Sequence, residues 1–169
     1  MKATVAKREA WIDALPASRV QKPKKVKEQA KYFLWRAISP VHPRMRRAAE
    51  AMGLKSERFV QHEKPGRQKF LIGTLSPGKS VRELVHHLVA QGYGNHFLAW
   101  RDESQVVSLR LVESFTNQYH LRIFEDGEVR GHYEHTPESY PIKHLFAEGQ
   151  IDTRDVFLAH LGNFITPAV

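Results

Sequence analysis

The segment Gln118 to Glu134 alternates apolar and polar side chains on both sides of Glu125-Asp126-Gly127. Alternation with period two marks a half-buried strand, and two such runs around an Asp-Gly turn make a hairpin. Two registers compete. A two-residue Asp126-Gly127 turn pairs Phe124 with Val129 and Leu121 with His132, which mixes apolar and charged side chains on each face. A three-residue loop, with Gly127 left-handed in a bulge, pairs Ile123 with Val129, Leu121 with Gly131 and Tyr119 with Tyr133. One face is then wholly apolar. A slip of one residue changes every side chain's neighbours, so the apolar pattern selects the bulged register.

That register has a consequence on the other face. His120 stands opposite His132, Arg122 opposite Arg130 and Gln118 opposite Glu134. The preceding strand turns Val107, Leu109 and Leu111 inward, so it sends Ser108 and Arg110 to the polar side. Like charges directly opposite in a sheet repel. Water and salt, a neighbouring acid such as Glu128, or an anionic ligand can offset them. The expectation has two forms: an anion site built from Arg110, His120, Arg122, Arg130 and His132, or a plain exposed sheet face whose charges are screened. The paired histidines with Glu134 also have the makings of a metal site or of an acid and base acting on a phosphate ester. His132-Tyr-Glu-His135 carries no HExxH or other fixed metal spacing, so the sequence assigns no metal and no cofactor.

Around the hairpin the expected order is β-α-β-β-β-β-α-α. A strand covers Lys69 to Ile72. A helix covers Val81 to Gln91, opened by a capping box of Ser80 and Glu83 and closed by Gly92. Strands follow over His96 to Arg101 and Gln105 to Val112, then the hairpin. A helix is expected over Pro141 to Glu148, and another from a cap at Asp152 through Leu161. Ahead of this body, helices are expected over Ala6 to Leu15, Lys24 to Ile38 and Pro43 to Gly53. In the second of these, Val26, Ala30, Phe33, Leu34, Ala37 and Ile38 form an apolar stripe with the lysines mostly off it, so the stripe is expected to be buried. The sum is an α+β protein. A basic helical region, residues 1–64, precedes a small antiparallel sheet packed with helices, residues 69–169, across a linker near Pro65-Gly66.

Charge is segregated along the 169 residues. Met1 to Arg67 holds 17 Lys and Arg against 6 Asp and Glu, a net of +11, while Gln68 to Val169 holds 9 against 12, a net of −3. A segregated positive field draws polyanions, nucleic acid above all. Lys24, Lys25, Lys27, Lys31, Arg44, Arg46, Arg47 and Arg58 are the expected contacts. The absence of cysteine excludes disulfides, thiolate metal sites and cysteine nucleophiles, and it fits a cytoplasmic location. No apolar run is long enough to span a membrane, and Met1 to Ala10 lacks the apolar core of a secretory signal.

Two local patterns resemble known motifs. Gly73-Thr-Leu-Ser-Pro-Gly-Lys-Ser80 matches the phosphate-binding loop of P-loop nucleotide-binding proteins. By that resemblance Lys79 would reach the terminal phosphates and Ser80 the magnesium, with Asp102 as a second acidic group. Pro77 removes an amide from the loop, and the same residues equally make a turn followed by a helix cap. Arg47 to Phe59 resembles a helix-turn-helix, with Ala49 at the crossing, Gly53 in the turn and Arg58, Gln61 and His62 as base-facing residues, although Pro65 cuts the second helix short. The leading expectation is therefore an accessory protein, more a binder than an enzyme, that holds nucleic acid, DNA or RNA, or another polyanion. The alternatives are a phosphate-handling enzyme, either a P-loop-like nucleotide binder or a histidine phosphoesterase, and an interaction module for an acidic protein.

Overall fold

The computed structural model describes residues 10–18, 20, 22–38, 71–96, 104–140 and 153–168. The elements are α1 (Ala10–Asp13), α2 (Val26–Ile38), β1 (Leu71–Leu75), α3 (Val81–Ala90), β2 (Gly94–Asn95), β3 (Gln105–Val112), β4 (Asn117–Phe124), β5 (Glu128–His135), α4 (Arg154–Leu161), a 3-10 turn over Gly162–Phe164, and β6 (Ile165–Pro167). The strands form one six-stranded sheet in the order β2-β3-β4-β5-β1-β6, and every neighbouring pair is antiparallel. The protein is α+β, as the pattern of elements requires.

The hairpin takes the bulged register. Ile123 pairs with Val129, Arg122 with Arg130, Leu121 with Gly131, His120 with His132, Tyr119 with Tyr133 and Gln118 with Glu134. Gly127 has φ +84°, and its amide donates to the Phe124 carbonyl at 3.0 Å. A side chain resists that left-handed conformation, which is why glycine stands there.

The apolar face of the sheet carries Ile72, Val107, Leu109, Leu121, Ile123 and Val129 into a core with Leu84, Val85 and Leu88 of α3, Phe157 and Leu161 of α4, and Ile12 of α1. Gly131 leaves the gap that Phe157 fills: a Cβ there would come within 3.0 Å of the Phe157 ring and 2.8 Å of Leu121. α3 begins with the expected capping box. The Ser80 hydroxyl accepts from the Glu83 amide at 3.2 Å, and the Ser80 amide donates to Glu83 Oε2 at 2.9 Å.

Several expectations need correction. α2 lies where expected but presents the other side. Val26 is 81% exposed, Leu34 63% and Phe33 53%, so the apolar stripe faces outward. The half-buried side comprises Glu28, Lys31, Tyr32 and Trp35, again at helical spacing. Lys31 donates to the Ser139 carbonyl at 3.0 Å and lies 4.2 Å from the Tyr140 ring centroid, while Tyr32 packs edge-on against Phe115. Long side chains with apolar stems dock the helix, and the aliphatic stripe does not. At the C-terminus, α4 begins at Arg154 with Thr153 at its cap, whose side chain makes no capping bond. β6 adds an edge strand that the sequence did not signal. The expected helices over Pro43 to Gly53 and Pro141 to Glu148, the linker, Asp102, Asp152 and the helix-turn-helix resemblance lie outside the described residues. So do Arg44, Arg46, Arg47 and Arg58. No described helix is long and apolar enough to cross a membrane.

Candidate functional site: a buried polar layer on the sheet

Opposite α1, α3 and α4, three central strands place Ser108 and Arg110 (β3), Gln118, His120 and Arg122 (β4), and Arg130, His132 and Glu134 (β5) on one face. The register thus brings together all five residues expected for an anion site. What it does not do is expose them. Arg110 is 1% exposed, His120 6% and His132 8%; Arg122 and Arg130 are half-buried. The expectation of an outward-looking basic face is corrected. This is an interior polar layer, and interior charge persists only when it is paired and hydrogen-bonded.

The pairing comes from Glu128 and Glu134, which alternate with Arg130 and His132 along β5, and from Glu138, which lies beyond the strand and which alternation could not place. The turn after β5 folds back, with Thr136 Oγ1 donating to Ser139 Oγ at 2.9 Å, and carries Glu138 over the face. Arg110 donates to Glu138 through two nitrogens, Nη2 to Oε1 at 2.8 Å and Nη1 to Oε2 at 3.1 Å; both side chains are 1% exposed. Arg110 Nη1 also donates to Gln118 Oε1 at 2.9 Å, and Nε to Ser18 Oγ. Arg130 pairs with Glu128, two residues earlier on its own strand, and lies 5.0 Å from the centroid of Phe124. The repulsion expected between Arg122 and Arg130 is therefore met on the Arg130 side by an internal carboxylate.

Glu134 ties the two histidines together. Gln118 Nε2 donates to Glu134 Oε1 at 2.7 Å, His132 Nε2 lies 3.0 Å from Oε2, and His120 Nδ1 lies 3.2 Å from Oε1. His120 Nε2 meets Ser108 Oγ at 2.7 Å. Burial pushes His120 down to about 4, against the pull of Glu134, so its ring is neutral at neutral pH. Burial would raise the Glu134 carboxyl, but the His132 charge and hydrogen bonds from both histidines hold it well below the usual carboxylate range. His96, just past β2, completes the group. Its amide donates to the Ser108 carbonyl at 2.9 Å, and its ring, 2% exposed, stands edge-on to His120 at 4.6 Å between centroids. The sequence reading missed His96 as a member because it lies 24 positions before His120. The signal available was that β2 must pair with β3 for the sheet to continue.

The loop that resembles a phosphate-binding loop is otherwise committed. Gly73 lies inside β1, where a Cβ would come within 2.3 Å of the Thr166 carbonyl oxygen of β6. The amides of Leu75, Ser76, Lys79 and Ser80 donate to Gly127 O, Phe164 O, Ser76 O and Glu83 Oε2, and Pro77 has no amide. Lys79 Nζ lies 4.9 Å from the Phe164 ring centroid. β1 is flanked by antiparallel neighbours on both sides, unlike the parallel strand that precedes a P-loop. The motif reads as a strand, a turn and a helix cap.

Set against protein-family models, curated proteins and solved structures, the chain matches none.

Proposed function

We propose that the chain is a polyanion-binding accessory protein, with nucleic acid as its ligand and the basic front region as its contact surface. The observation that carries this reading is the charge split, +11 over residues 1–67 against −3 over residues 68–169. On the described part of that region, Lys22, Lys24, Lys25, Lys27 and Arg36 are exposed around α2. Phosphate contacts of this kind give affinity without sequence preference. Lys31 leaves the contact set, because its ammonium is bonded to Ser139 and stacked on Tyr140. The arginines of the sheet face leave it too, since Glu138 and Glu128 already occupy Arg110 and Arg130.

A second reading has its own support. Val26, Phe33 and Leu34 are exposed beside the same lysines, and an acidic protein surface with an apolar centre would use both. One experiment separates the two. The variant Lys24→Gln, Lys25→Gln, Lys27→Gln and the variant Phe33→Ser, Leu34→Ser are each tested for binding to labelled duplex DNA and single-stranded RNA. Loss in the lysine variant alone, to a similar degree for unrelated sequences, supports the nucleic-acid reading. No binding by the wild-type chain at low salt would discard it in favour of a protein partner.

A further inference from the structure

His96, His120 and Glu134 each offer a metal-ligand atom, and these atoms lie within 4.8 Å of one another. All three side chains are buried, and three separate stretches of backbone deliver them: the end of β2, β4 and β5. Two of the three are held from behind by groups that are not themselves part of the trio. Ser108 Oγ holds the far nitrogen of His120, while Gln118 and His132 hold the Glu134 carboxylate. Hydrogen-bonded supports that fix ligand orientation are the usual companions of a metal centre.

We infer that His96, His120 and Glu134 form a binding site for a zinc-class divalent metal ion. Two imidazoles and one carboxylate are a donor set that zinc accepts, with a fourth position left for water or another group. Ligand bonds of about 2.0–2.1 Å in a tetrahedron place donor atoms about 3.4 Å apart, so separations of up to 4.8 Å close by at most about 1.4 Å on binding, and the His120 Nδ1–Glu134 Oε1 pair, at 3.2 Å, is already in range. His120 enters through Nδ1, the nitrogen that faces Glu134. In the metal-free protein Nδ1 lies 3.2 Å from Glu134 Oε1, and Nε2 meets Ser108 Oγ at 2.7 Å. With metal on Nδ1, the ring proton sits on Nε2 and donates to Ser108, whose hydroxyl serves either tautomer. Among the described residues the trio offers one carboxylate, that of Glu134. Two imidazoles and one carboxylate suit an ion that binds imidazole strongly better than magnesium or calcium, which rely on several oxygen ligands. This inference is independent of the polyanion reading, because no exposed lysine takes part in it.

The test uses the full chain, stripped with chelator and desalted, in zinc titrations by calorimetry and thermal denaturation. Wild type and the surface control His86→Ala, His135→Ala are expected to bind zinc saturably and gain Tm, with no response to magnesium. His96→Ala and Glu134→Gln are expected to lose about tenfold or more in affinity, together with the gain in Tm. No saturable zinc binding by wild type, or unchanged affinity in both ligand variants, overturns the site. Should those variants fail to fold, cobalt-loaded wild type decides by NMR. Paramagnetically shifted ring N–H resonances from His96 and His120 support the site, and their absence overturns it.

Discussion

Removing Glu138 is the sharpest probe of the polar layer, because Arg110 has no water to turn to. Both side chains are 1% exposed, and Glu138 accepts two charge-assisted hydrogen bonds from the guanidinium. In Glu138→Ala the cation stays buried, with Gln118 and Ser18 still accepting from it among the described residues. Stripping one partner from a buried pair costs about 3–5 kcal/mol. For a chain of this size each kcal/mol lowers Tm by about 2–4 °C, so the variant should melt roughly 6–20 °C below wild type. The cost is that of a stranded charge. Replacing both partners, Arg110→Met with Glu138→Leu, should therefore recover most of it, less about 1 kcal/mol for the donor that Gln118 Oε1 loses. Urea unfolding of the four proteins in the double-mutant cycle measures both quantities. A Glu138→Ala protein within 1 kcal/mol of wild type would refute the reasoning and show that solvent reaches Arg110.

The turn at Gly127 gives a second expectation. With φ +84° and Leu75 Cβ 3.3 Å from where its own Cβ would be, Gly127→Val should lose about 1–3 kcal/mol in urea unfolding, and an unchanged midpoint would contradict the bulge. The His120 ring gives a pH dependence. Its folded value of about 4 lies below the 6.5 of an exposed histidine, so the unfolded chain binds the proton first and stability falls as pH drops from about 6.5 to 4. That amounts to about 3 kcal/mol, read in chelator as a wild-type slope that His120→Gln lacks; parallel profiles would show the ring titrating normally.

What the sequence made legible was whatever local periodicity controls. Period-two alternation and one glycine were enough to set the β4–β5 register, and Ser80 with Glu83 set the start of α3, because both depend on residues close in sequence. Periodicity also showed correctly that the polar residues of β3, β4 and β5 share a face. It could not show what lies on that face. Glu138 arrives from a turn and His96 from the far side of β3, so an array that read as stranded cations is a neutralised interior. α2 failed for a related reason. Its strongest apolar stripe predicts the docking side, whereas Lys31 and Tyr32 dock through a long stem and a ring. β6 escaped notice because three residues with Pro167 are too short to alternate, and an edge position is where a strand tolerates proline.

If the exposed cations around α2 bind phosphates, the affinity of the full chain for duplex DNA falls steeply with salt. Five exposed cations, Lys22, Lys24, Lys25, Lys27 and Arg36, correspond to a log–log slope of about −4.5 on duplex DNA. Changing Lys24, Lys25 and Lys27 to Gln should make that slope shallower by about 2.7. A wild-type affinity that barely moves with salt, or a slope that the triple substitution leaves unchanged, would contradict the claim.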